Sequence, residues 1–239
     1  MARWSNGDAH AAARRIAVEL LRRLPVAELR GRARSAAEAE LRTASDLVPV
    51  ARFVPVMVLA EVLGFASPRE AARLQRIVTA AIAPEDGSSP AGDDVVHASL
   101  DRLLRASGGR TFEAAANGVA LLHQCQDATA GLVAVAALRS VRRPDASASE
   151  LVAGVLRDEP PVVSTVRVSA DGDPVTVPLA DRPFGAGAHA CPGDVLAVAL
   201  AEGVVEALLA TGRRPMSTGV EFERRAHLRI PRSIALSSE

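Results

Sequence analysis

Pro183-Phe184-Gly185-Ala186-Gly187-Ala188-His189-Ala190-Cys191-Pro192-Gly193 decides how this chain is read, and a helix-like apolar run, Val195 to Leu209, follows it directly. Gly185 and Gly187 let the backbone take left-handed turns and approach a flat partner closely. Pro192 suits a first helical turn, where a missing N–H costs nothing. The loop thus brings one cysteine to the mouth of a helix. Unpaired N–H groups and the positive end of the helix dipole there favour a thiolate over a thiol. A thiolate held by backbone donors among apolar side chains is a setting in which a protein tunes an axial haem ligand.

Two other readings of the loop stay open at this point. Gly185-x-Gly187-x-x-Ala190 fits the dinucleotide pattern G-x-G-x-x-G/A, which should close a strand and open a helix at once. Here Asp181-Arg182-Pro183 precedes the glycines, and too little chain follows for a dinucleotide fold. An ordinary loop around a buried, inert cysteine is the other.

Working outward, 239 residues make one domain, 1–239, long enough to bury a core. Apolar residues make up 49% and the formal net charge is zero, which argues against disorder and against a nucleic-acid footprint. All 28 basic residues are arginine, and alanine is abundant, a composition we read as that of a high-GC bacterium. Two cysteines, Cys125 and Cys191, do not make a secreted disulfide framework. No apolar run reaches a membrane span, and Met1 to Asp8 lacks the apolar core of a signal peptide. The expected location is cytoplasmic.

The remaining chain reads as mainly α with small β elements. Asn6-Gly7-Asp8 can cap a helix from about Ala9, on which His10 and Arg14 share a face while Ile16, Leu20 and Leu24 form the apolar stripe, ended by Pro25. A helix over Val26 to Arg42 follows, then one over Leu47 to Leu63, capped by Asp46 and stopped by Gly64; its prolines and valines need tertiary burial to override propensity. Ser67-Pro68 starts a helix to about Ile82, Ala83 to Asp93 is a hinge candidate, and Val95 to Leu104 is helical up to Gly108-Gly109. Thr111 to Arg139 is the longest pattern, apolar nearly all round, and so a buried central helix. Asp127 within it is expensive unless paired. A tie to an arginine or a backbone group is the bland explanation for it, and a functional acid the sharp one. Ser149-Glu150 begins a helix to about Arg157, and short strands over Val162 to Val168 and Val175 to Val177 flank an Asp171-Gly172 turn.

Read as Phe184, Gly187, Cys191 and Gly193, the loop has the form F-x-x-G-x-x-x-C-x-G and resembles the cysteine-ligand loop of the cytochrome P-450 family. Other parts of the chain are similar to that family in the same order. The run W-x-x-x-x-x-H-x-x-x-R, Trp4 to Arg14, resembles the helix whose His and Arg hold the haem propionates. The central helix resembles the one that carries an acid and then an alcohol over the haem, although Ala128 follows Asp127, the threonine is displaced to Thr129, and Gln124 and Cys125 stand where a glycine pair is expected. The family's E-x-x-R reads Gly154-x-x-Arg157 here, so Arg157 needs another partner or solvent. Arg167 and His189 match family propionate contacts, and Val220 to Ile230 with the tail to Leu236 resembles the terminal strands. His97 and His227 match nothing and are read as structural.

The resemblance implies a truncated P-450-like fold with a long central helix and a C-terminal cysteine-ligand loop, lacking the family's segment before the propionate helix, a full spacer before the central helix and the meander before the loop. It implies haem b (iron protoporphyrin IX), with Cys191 as the metal ligand. His10, Arg14, Arg167, Phe184, Gly187, His189 and Gly193 then complete the cofactor site. Asp127, Thr129 and Gln124 are the catalytic candidates, Asp127 as proton donor or acceptor. The implied function is a haem-thiolate enzyme of secondary metabolism acting on a small molecule, by oxidation or by a redox-neutral rearrangement, dehydration or cyclisation. The near-absent meander counts against a docked redox partner, and a homodimer is expected to cover an open distal face. The alternative is a haem-free helper that stabilises a partner enzyme such as a glycosyltransferase, as some relatives do; a haem sensor or carrier without turnover is a third reading.

Overall fold

A computed structural model of the chain describes residues 7–82, 91–107, 111–169, 171–225 and 227–237. Trp4 and Asn6, most of the hinge candidate (83–90) and the Gly108-Gly109 stop lie outside them. Among the described residues the order is α1 (Gly7–Arg22), α2 (Val26–Leu41), α3 (Leu47–Val62), α4 (Pro68–Ile82), α5 (Asp93–Ala106), α6 (Phe112–Arg142), α7 (Ala148–Asp158), β1 (Ser164–Val168), β2 (Pro174–Pro178) and α8 (Asp194–Ala210). The mainly α reading holds.

The central pillar is α6, with α1, α3, α4, α5, α7 and α8 packed around it. Its apolar circumference is what permits neighbours on every side, and Leu122, Ala130, Val133, Ala134 and Ala136 are fully buried. Thr111 caps it, its Oγ1 accepting from the Ala114 N–H at 3.3 Å. Alanine-rich helices can approach closely, and α2 and α8 do: a Cβ at Gly203 would run into the Arg30 carbonyl and the Ala33 methyl. Arg30 adds an ion pair to Glu202 at 2.7 Å across the same contact.

Asp46 caps α3 as the sequence predicts, with Oδ1 accepting from Val48 N–H and, from the C-terminal segment, Ile234 N–H, both at 2.9 Å. Pro55 sits inside this helix, between Val54 and Val56, which are wholly buried; core packing offsets the roughly 3 kcal/mol cost of an interior proline. Gly64, at φ +78°, ends it. Gly64 N–H donates to Glu61 O and Phe65 N–H to Ala60 O, each at 2.9 Å, a Schellman closure with Phe65 buried against the helix.

Three expectations shift. The buried stripe of α1 is His10, Ala17 and Leu21, with Leu24 just beyond its end, whereas Ile16 and Leu20 are half-buried; the helix is turned by one position, so His10 and Arg14 belong to its inner face. Helix α7 starts one residue early, at Ala148, because Ser147 and Glu150 form a capping box. The stretch from Val220 to the tail makes isolated bridges, Phe222 with Pro231 and Pro215 with Leu236, in place of strands.

The β1–β2 hairpin is antiparallel, with Arg167 opposite Val175 and Ser164 opposite Pro178. Its flanking bonds, Ser169 N–H to Asp173 O and Leu179 N–H to Val163 O, put the odd-numbered residues on the bonded side. Pro174, Thr176 and Pro178 therefore face outward along β2, and only Thr176 offers a free-edge N–H. Prolines at those positions blunt the edge against pairing with another chain.

Candidate active site

A cavity of about 260 Å³ lies between α1, α6, β1, the cysteine loop and the start of α8. Each wall follows from a local rule. Gly185 (φ +72°) and Gly187 (φ +65°) take left-handed turns that let the loop double back. Cys191 N–H then donates to Phe184 O at 2.8 Å, and Ala190 N–H to Gly187 O at 3.1 Å, closing the loop on itself. Gly187 acts through its backbone only and does not line the cavity, while Phe184, His189, Cys191 and Gly193 do.

The four nitrogen bases singled out in the sequence meet at this cavity. Arg14 Nη1 donates to Ala190 O at 2.8 Å, so α1 grips the loop one residue before the cysteine. The His10 and His189 rings lie 4.0 Å apart, centroid to centroid. Arg167, on β1, steadies its guanidinium by donating to Thr165 Oγ1 at 2.8 Å and Val166 O at 2.9 Å. Burial pushes the His189 pKa down, and His10, Arg167 and Arg14 push it further the same way. Among the described residues no Asp or Glu lines the cavity. A cluster of bases without a counter-anion is built for an acidic ligand.

Cys191 is open to the cavity, yet protein surrounds the rest of it. Burial pushes its thiol pKa up; a hydrogen bond from the Gly193 backbone lowers it, the Asp194 carboxylate raises it, and Arg14 lowers it. Burial thus works against the thiolate bias expected at a helix mouth, and α8 begins only at Asp194, with Gly193 as its N-cap, so Pro192 lies outside the first turn and an acid occupies the helix mouth.

The central helix offers the cavity Leu121, Gln124, Cys125, Ala128, Thr129 and Leu132, one stripe at helical spacing. Gln124 and Thr129 stand where the sequence suggested. Asp127 does not. It faces the rear, where its carboxylate accepts from Arg225 Nη1 at 2.7 Å and Arg52 Nε at 3.2 Å. Glu223 completes the group, with Arg225 Nε 2.9 Å from its Oε2. Burial works against the charge of Arg52, but Asp127 and Glu223 outweigh it and raise its pKa. Asp127 is thus the paired structural acid, and its assignment as a proton donor to the cavity is withdrawn on geometry.

Cys125, no candidate from its sequence context, also lines the cavity, and the helical stripe from Leu121 to Leu132 is the signal that marks it. His123 is elsewhere, its Nδ1 3.0 Å from Thr79 Oγ1 in a buried chain with Gln75. His227 is structural as read, 2.7 Å from Ser164 Oγ. Arg157 is exposed and pairs with Asp158 at 2.8 Å, and the space a side chain at 154 would need is filled by the Arg139 guanidinium.

Among the described residues no three His, Cys, Asp or Glu gather to hold a bare metal ion, and no helix is long and apolar enough to cross a membrane. An iron at Cys191 would need its other ligands from a porphyrin. The donor set suits that group: one sulfur, basic side chains for two carboxylates, and apolar walls for the ring.

These features define a class: a mainly α protein in which a buried central helix and a glycine-turned cysteine loop enclose a basic, apolar cavity. No family model matches the chain, and no curated protein matches it in sequence. Solved cytochrome P450 structures share its fold. The P450 RauA, complexed with a biosynthetic intermediate of aurachin RE, is 18% identical at a TM-score of 0.77 over 99% of this chain and 77% of its own. P450BioI, in complex with an acyl carrier protein ligated to hexadec-9Z-enoic acid, is 14% identical at 0.74 over 100% and 82%. CxnD, a P450 for C–S bond formation in chuangxinmycin biosynthesis, is 16% identical at 0.74 over 98% and 77%. The chain has a P450-like fold.

Proposed function

We propose that this chain is a P450-like haem-thiolate enzyme of secondary metabolism that binds haem b and converts a small molecule, by oxidation or by a redox-neutral haem-assisted rearrangement, dehydration or cyclisation. One observation carries the reading: Cys191, His10, Arg14, Arg167 and His189 line one apolar cavity, and among the described residues no carboxylate lines it. Bound haem would supply Lewis-acid and redox chemistry at iron. The residues of the chain supply the rest. Cys191 offers the sulfur; Arg14, Arg167, His10 and His189 complement the propionates with charge-assisted hydrogen bonds. Leu121, Ala128 and Leu132 exclude water and seat an apolar substrate. Gln124 Nε2 donates one hydrogen to the Ala120 carbonyl at 3.3 Å, which leaves its second N–H and Oε1 to offer a ligand. Thr129, buried on the same wall, holds an exchangeable proton. The biosynthetic roles named for RauA and CxnD support a small-metabolite substrate. A homodimer covering the cavity mouth fits the exposed Val175 and Val177, which lie on the hairpin face of Arg167 and Thr165.

Titrating the purified chain with haemin tests the reading. One equivalent should bind, and Arg14→Ala with Arg167→Ala should weaken uptake; no saturable uptake would overturn it. The haem-free helper has one observation in its favour: with Gly154 covered and Arg157 turned to solvent, the E-x-x-R pair is lost. A chain that takes up no haem and stabilises a partner would establish it.

A further inference from the structure

The α6 wall carries a second thiol in the same cavity. Cys125 and Thr129 are one turn apart, with Sγ 3.6 Å from Oγ1, and both line the space that Cys191 enters from the loop. The acid that would have supplied protons, Asp127, is tied to Arg52 and Arg225 on the rear face, and Ala128 has no hydroxyl. The protic groups left on this wall are the Gln124 amide, the Cys125 thiol and the Thr129 hydroxyl. One of the two Gln124 N–H groups is engaged on Ala120 O at 3.3 Å, so Gln124 keeps one donor and Cys125 adds another to this wall. Burial pushes the Cys125 thiol up to about 11, so at neutral pH it is an uncharged S–H. A neutral thiol is a weak hydrogen-bond donor.

We propose that Cys125, oriented by Thr129, donates a hydrogen bond to a small ligand of the carbon monoxide, dioxygen or peroxide class held at haem on Cys191. This rests on the haem reading above. Thr129 is almost wholly buried, with 2% of its surface exposed, so its hydroxyl keeps the thiol in place more than it reaches ligand itself.

The test uses haem-loaded chain, reduced under carbon monoxide, with the C–O stretch read by infrared in H₂O and D₂O. In the wild type the band should shift on deuteration. Cys125→Ala should move it to higher frequency, remove the isotope sensitivity and weaken carbon monoxide binding about two- to tenfold, the loss of one hydrogen bond. Cys125→Ser, a stronger donor of similar reach, should move it lower, and it decides the matter if the alanine variant does not fold. An intact thiolate Soret band with the same C–O stretch in wild type and variants would overturn the proposal. Absence of any thiolate band in the wild type would instead bring down the haem reading, and this inference with it.

Discussion

The cysteine loop and the rear of α6 make a useful pair, because the sequence marked both for chemistry and only the loop faces the cavity. At the loop, left-handed glycines fix the backbone, and Arg14 and His10 arrive from more than 170 residues away to meet Ala190 and His189. At α6, Asp127 has the residue type of an active-site acid but the helix turns it toward Arg52, Arg225 and Glu223. A buried charge on a helix goes where its counter-charges are, and here they lie behind the wall, not in the cavity. Residue type alone does not assign a role; helix phase does.

Substitutions sharpen that contrast, and the largest effect belongs to the loop. Cys191→Ala should abolish thiolate ligation entirely, read as loss of the red-shifted ferrous–CO Soret band, while far-UV circular dichroism is unchanged. Asp127→Ala should act in the opposite sense. It removes the shared carboxylate from two buried arginines, costing about 3 kcal/mol by denaturant unfolding, but should leave the haem spectrum of the folded protein alone. Spectral loss with intact stability would return Asp127 to the cavity. Arg14→Ala gives up one charged hydrogen bond to Ala190 and a basic group for the ligand, and haem affinity should fall about tenfold or more. The smallest change is expected at Gly154. Alanine there gains up to about 1 kcal/mol of helix propensity but crowds Arg139, whose Nε lies 3.0 Å from the new Cβ, so a melting temperature within a few degrees of wild type is expected.

Much of the fold was legible because its signals are local. Asp46, Gly64 and Thr111 each fix a helix end through a bond to a near neighbour, and Pro68 opens α4 at its first residue, so one sequence suffices to place them. The cavity bases were legible through the family likeness, which gave their order along the chain. What could not be read depends on rotation and on distant partners. The inner face of α1 is set by packing on α6, which turned His10 inward and Ile16 partly out. The partners of Asp127 come from α3 and from the C-terminal segment, neither of which is near it in sequence. The Arg139 guanidinium fills the space beside Gly154 while Arg157 pairs with Asp158, an arrangement visible only in three dimensions. The Cys191 thiol is raised first by its burial, which the sequence does not show, and then by Asp194, which stands at the start of α8 one residue after Gly193.

The ferrous–CO difference spectrum of the haem-loaded chain bears most directly on whether Cys191 sulfur binds porphyrin iron. A red-shifted Soret band, present in the wild type and missing in Cys191→Ala, is the result expected. A band at the position of histidine-ligated or unligated haem, unchanged by removing Cys191, would contradict it.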